Sequence, residues 1–273
     1  MFYYAQFFST ALGGIDRSNI MQITIQIAQV VLLISFLVAV YESFIRGGDV
    51  RMLGIAAVKY VAVGLVLLGY AAAFRDVNGM FNTLAGFIAN NTTGGADIFK
   101  VWLTDLGTYF DQNGFQKLFE LIAGGAAGLV GAPFVILSYV IYPLTYAAFC
   151  FFYSFYGAVL YVVGPIVLSL LPAFGVGSLA RVYLVNLMTF NFWGVIYSIL
   201  GGLITAVNLG TVQQVLASQD FIGGFVGIEE ALLLGVASLF YAISIAVIPY
   251  LASRIVRGEP FGTIANVILS KIP

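Results

Sequence analysis

The chain has no histidine and a single cysteine, Cys150, among its 273 residues. It therefore lacks the side chain most often used as a general base near neutral pH and most often found on metals. A lone cysteine excludes an intramolecular disulfide, and its place inside an apolar run reads as packing. Charge is scarcer still. Asp, Glu, Lys and Arg make up 8% of the chain, against about 25% in an ordinary soluble domain. Between Glu120 and Asp220, Arg181 is the only charged residue. Water does not solvate a stretch of that length, and a soluble core of this size cannot enclose it. The chain is expected to lie in a lipid bilayer and to cross it several times. A net charge of -1 supplies no basic field for nucleic acid. No phosphate-binding G-x-x-x-x-G-K-[ST] loop, no G-x-S-x-G elbow and no metal-ligand cluster occurs. No catalysis, no metal and no cofactor are expected.

Hydrophobic residues make up 61% of the chain, and the mean hydropathy is +1.03. The apolar runs are long and continuous rather than alternating. In hydrocarbon, where backbone groups must pair within the protein, that pattern predicts helices and not a barrel. The expected fold is all-α: a polytopic transmembrane helical protein with amphipathic interfacial helices. Residues 1–17, rich in aromatics, read as an N-terminal interfacial segment that stays on the protein. Residues 18–75 read as a transmembrane hairpin with spans Ser18–Tyr41 and Leu53–Phe74, the second ended by Arg75 and Asp76. Residues 76–132 read as a periplasmic or interfacial segment. Within it, Asn90–Gly95 suggests a turn or flexible loop. Phe99, Trp102, Leu106 and Phe110 recur at helical spacing, as in a helix lying on the membrane surface. Residues 133–252 read as the transmembrane core and 253–273 as a tail.

Orientation follows from Lys and Arg in short loops, which favour the cytoplasmic side. Arg46, Arg51, Arg181, Arg254 and Arg257 set it. With the tail and the Arg181 loop inside and the cation-free loop 208–230 outside, block 121–171 supplies one crossing rather than two. Five crossings result, with the N-terminus periplasmic and the C-terminus cytoplasmic. Six is the alternative, and it strands Arg46 and Arg51 outside.

Few residues in the spans offer chemistry. Lys59 is either functional or snorkels from the first third of its span. Asn186 and Asn191 either line an aqueous path or hydrogen-bond between helices. Gly124 and Gly128 form a G-x-x-x-G pair suited to close helix contact. An aromatic cluster from Phe149 to Tyr161 is either a conduit wall or packing and interfacial belt. Glu229 and Glu230 read as an interfacial boundary before the last span.

From Tyr142 to about Leu203 the chain carries a recognisable succession. An aromatic span leads into Tyr161-Val-Val-Gly164-Pro165. A Leu171-Pro172 break follows, then a span with Asn191-Phe-Trp193-Gly194 and an exit at Gly201-Gly202. This stretch resembles the TrbL/VirB-type polytopic inner-membrane subunit of type IV secretion systems, the machines of conjugation. The resemblance implies a homo-oligomeric platform in the bacterial inner membrane, on the route of translocated DNA or protein. It also implies partners: separate ATPases on the cytoplasmic side and periplasmic core proteins. Gly164, Pro165 and Trp193 join the asparagines, Lys59 and the glycine pair as candidate pore-lining or helix-packing residues. The rival expectation is a stand-alone secondary transporter for a small solute, which needs a polar midplane site of its own.

Overall fold

The computed structural model describes residues 2–45, 47, 50–104, 107, 126–172, 177–206 and 228–258. Among these the chain is all-helical, without strands. The helices are α1 (Tyr3–Arg17), α2 (Ile20–Ile45), α3 (Val50–Leu68), α4 (Tyr70–Thr93), α5 (Ala126–Ser169), α6 (Gly177–Ala206) and α7 (Ile228–Arg257). A further helical turn covers 98–104. Among the described residues, four helical stretches are long and apolar enough to cross a membrane: Ile20–Ile45, Val140–Ser169, Ser178–Ala206 and Val236–Arg257. A fifth exists if the pair α3–α4, bent by 71°, is one broken span. Their outward surface is apolar: Val30, Leu33, Leu65, Phe152 and Phe240 are all more than half exposed. Such a surface has no place in water and is consistent with a multi-pass membrane protein.

Local chemistry sets the helix ends. Asn19 takes a left-handed φ of 58°, a conformation asparagine tolerates better than most residues, and it separates α1 from α2. Gly94 and Gly95 take φ values of 62° and 82°. The Gly95 N–H returns to the Ala89 carbonyl at 3.1 Å, which closes α4 with a left-handed cap. The run read as a loop over Asn90–Gly95 is thus the last helical turn plus this cap. Gly69 separates α3 from α4 at the bend, as glycine commonly does. Arg75 and Asp76, read as the end of the second span, lie inside α4, and the helical break falls at Gly69 instead. Block 121–171 contributes a single helix, α5, that runs unbroken through Pro143.

The chain separates into two compact units. One comprises Met1–Tyr4, Asn82–Phe152 and Trp193–Leu251. Its core is aromatic. Trp102 stacks on Tyr241 with centroids 5.0 Å apart, and Phe149 stacks on Tyr197 at 5.5 Å. Phe99 and Trp102 are fully buried, so the stripe expected to lie on the membrane surface packs into protein. Leu106 and Phe110 fall outside the described residues. The other unit comprises Ala5–Phe81, Tyr153–Phe192 and Ala252–Pro273. In it Phe8 of α1 packs edge-on against Tyr153 and Phe190, while Ala28, Val63 and Leu67 join α2 to α3. The face of α1 carrying Tyr4, Phe8 and Leu12 is buried, so the segment read as interfacial is also a packing helix.

Candidate functional site

Two polar clusters lie inside the second unit, both built where helices meet. At the first, the Asn78 amide of α4 donates to the Asn191 Oδ1 of α6 at 2.9 Å and to the Tyr153 hydroxyl of α5 at 3.2 Å. Asn191 donates in turn to the Leu187 carbonyl at 2.8 Å. Asn78 and Asn191 are buried. A buried amide without partners costs several kcal/mol in hydrocarbon, and here the Asn78 amide finds acceptors on two neighbouring helices, α5 and α6. At the second, the Tyr70 and Tyr183 hydroxyls lie 2.6 Å apart and 3.2 and 3.0 Å from the Leu160 carbonyl; with one proton each, one hydroxyl donates to the carbonyl and the other to its neighbouring hydroxyl. They occupy the space a side chain at Gly164 would take: a Cβ there overlaps both hydroxyl oxygens. Gly164 and Pro165 are buried.

A charged cluster belongs to the same unit. Arg75 pairs with Asp16. Tyr161 donates to the other Asp16 oxygen at 2.9 Å, and the guanidinium sits 5.9 Å from the Tyr161 ring centroid. Both members of the ion pair are exposed enough for solvent to weaken it.

In the first unit the Asp97 carboxyl turns inward. The Tyr197 hydroxyl and the Lys100 backbone N–H both donate to its Oδ1, at 2.6 and 3.2 Å; the second is an N-terminal cap on the turn 98–104. Oδ2 is buried, with no hydrogen-bond partner among the described residues. Burial raises the Asp97 pKa above the ordinary aspartate value. The hydrogen bonds from Tyr197 and from the Lys100 and Tyr3 backbones, then the Lys100 charge, oppose the rise without cancelling it. A carboxyl that binds its proton more tightly when folded stabilises the fold at low pH, and that contribution is lost as pH rises through the folded pKa. Purified protein is therefore expected to lose thermal stability as pH climbs from about 4, the unperturbed aspartate value. Asp97→Asn, which still accepts from Tyr197, flattens that slope in melting curves taken across pH.

The remaining sequence candidates scatter. Asn186 is half-buried and five residues before Asn191, hence on a different face of α6. Trp193 is buried beside Phe149, with centroids 6.3 Å apart. Lys59 is exposed and midway along α3, which places it in the first third of the bent pair α3–α4 taken as one span. Gly128 falls within α5; Gly124 and Arg46 lie outside the described residues. Arg51 and Arg181 are exposed near the starts of α3 and α6, and Arg254 and Arg257 close α7. Loop residues 208–227 and the tail from 259 lie outside the described residues. Glu229 and Glu230 fall in the first turn of α7. The aromatic cluster divides: Phe149, Tyr153 and Tyr161 are buried, whereas Phe151, Phe152 and Phe155 point outward.

Three features escape a reading of the sequence. Asn78 falls in a segment expected in the periplasm, although it is the hydrogen-bonding counterpart of Asn191. Asp97 counts there only as one acid among several. Gln22, Gln26 and Gln29 form an exposed polar stripe on α2, which screening for charges alone passes over; their i, i+4, i+7 spacing is the available signal. No family model, no curated protein and no solved structure matches the chain.

Proposed function

We propose that this protein is a non-enzymatic inner-membrane subunit of a type IV secretion system and forms part of the path by which DNA or protein leaves the cell. The observation that carries this reading is the position of the residues behind the resemblance. Gly164 lies against Tyr70 and Tyr183, and Asn191 against Asn78. Gly194 lies against Tyr4, and Gly202 against Thr92. A motif spread over about forty residues thus falls on close helix contacts, as in a rigid membrane platform rather than a loose linker. Energy comes from separate cytoplasmic ATPases, and periplasmic core proteins continue the path.

In this reading the chain crosses the inner membrane five times, the bent pair α3–α4 counting as one crossing. The N-terminus is periplasmic and the C-terminus cytoplasmic. The cations at the helix ends assigned to the cytoplasm support that orientation: Arg51 near the start of α3, Arg181 near the start of α6, and Arg254 and Arg257 at the end of α7. Positive residues favour the cytoplasmic side. Alkaline phosphatase, active only in the periplasm, is expected to be active when fused at Asn91 and inactive when fused after Lys271; the opposite pair of results rejects the topology. Site-specific photocrosslinkers along α6 are expected to capture translocating DNA or protein during secretion. Uptake of a small solute by the purified chain in liposomes, with no such crosslink, favours the permease instead.

A further inference from the structure

The glutamine stripe on α2 is the least explained feature of the molecule. α2 is the most peripheral of the four apolar stretches: 17% of its apolar window is buried, against 72% for α6. Its buried face carries Met21, Thr24 and Ala28. A second flank, with Ile23, Ile27, Val30 and Ile34, is exposed and wholly apolar, as lipid requires. Between these two faces lie Gln22, Gln26 and Gln29, all exposed, with no hydrogen-bond partner among the described residues. With Asp16 and Asn19 they line an open groove of about 430 Å³.

Depth makes this costly. About 20 residues of a 26-residue helix fill the hydrocarbon. Whichever 20 they are, Gln29 is among them, and in a centred placement it lies about 5 Å from the midplane. A glutamine side chain cannot reach headgroups from there, and its amide has no partner in lipid.

The spacing names the missing partner. Gln22, Gln26, Gln29 and the exposed Leu33 follow one another at intervals of four, three and four, the seam of a left-handed helix pair. We infer that this seam is where a second copy of the chain docks, in the same membrane orientation. Insertion fixes that orientation, so a copy related by an axis along the membrane normal brings Gln29 opposite Gln29 at equal depth. A charged side chain would repel its own image there. A carboxamide both donates and accepts, and so satisfies an identical carboxamide. Polar residues at seam positions also fix register. This assigns a surface to the homo-oligomer of the proposed function, yet it needs only the bilayer and not the secretion role.

Cysteine crosslinking in native membranes tests it, starting from a Cys150→Ala chain. Single cysteines at Gln26, Gln29 and Leu33 are expected to give crosslinked dimers of this chain, while cysteines at Ile27, Val30 and Ile34 do not. In the Leu33→Cys reporter, adding Gln29→Leu, which leaves α2 more apolar and still inserted, lowers the dimer yield about five- to thirtyfold. Crosslinks confined to the Ile27–Val30–Ile34 flank leave an oligomer but overturn this seam. Bands to a protein of different mass overturn it in favour of a foreign helix. Modification of Gln29→Cys by a membrane-impermeant maleimide overturns it in favour of a water-lined passage. Absence of any crosslink overturns it outright. Substrate capture along α6 is scored separately, so the secretion reading stands or falls on its own.

Discussion

Gly164→Ala is expected to destabilise the protein by about 2–4 kcal/mol, the sum of overpacking and of buried hydroxyls forced from their acceptor. The new methyl group meets Tyr70 and Tyr183 together. Neither ring can retreat cheaply. Both are buried, Tyr70 lies beside Tyr161 at 6.1 Å and Phe74 at 6.0 Å, and the hydroxyl pair is tied to the Leu160 carbonyl. The control is another helical glycine with open space around it. A methyl group added at Gly86 meets no atom within 4 Å, so Gly86→Ala is expected to be neutral or to stabilise α4 by about 0.5–1 kcal/mol through helix propensity. Thermal unfolding in detergent, followed by tryptophan fluorescence, separates the two variants. Equal melting temperatures for both would remove the proposed reason for glycine at 164.

Asn191→Leu is expected to cost about 1–3 kcal/mol, mostly because the Asn78 amide is left buried and short of an acceptor. If that is the cause, Asn78→Leu combined with Asn191→Leu costs less than the two single changes added together, since the pair leaves together. The same variants distinguish packing from conduction. A helix-packing pair shows this coupling in thermal stability. Two independent pore-lining residues would instead give additive stability changes near zero together with altered translocation.

The long apolar runs make most of the helices legible. The span expected at Ser18–Tyr41 is α2 at Ile20–Ile45, and the last span, expected after Glu230, falls in α7. Charge parity predicts one crossing from block 121–171, and α5 is one helix there. The break in the α3–α4 pair differs from the expected one for a physical reason. Arg75 and Asp76 look like a membrane boundary in isolation, but Arg75 pairs with Asp16, 59 residues away, and the helix continues through both. The bend falls at Gly69, and nothing in its neighbours marks it above the chain's 31 glycines. The candidate site is half legible. Asn191 and Gly164 stand out in the sequence, but their counterparts Asn78, Tyr70 and Tyr183 are brought to them only by folding. Gln22, Gln26 and Gln29 are legible as a stripe, yet neutral amides leave no mark on a charge count.

The long neutral helices are apolar enough to cross a bilayer, and extraction tests their residence in lipid most directly. Membranes from expressing cells, washed at alkaline pH to strip peripheral proteins, are expected to retain the chain in full and to release it only with detergent. Recovery of a monodisperse monomer in detergent-free buffer contradicts residence in the bilayer, and every crossing and contact argued from it.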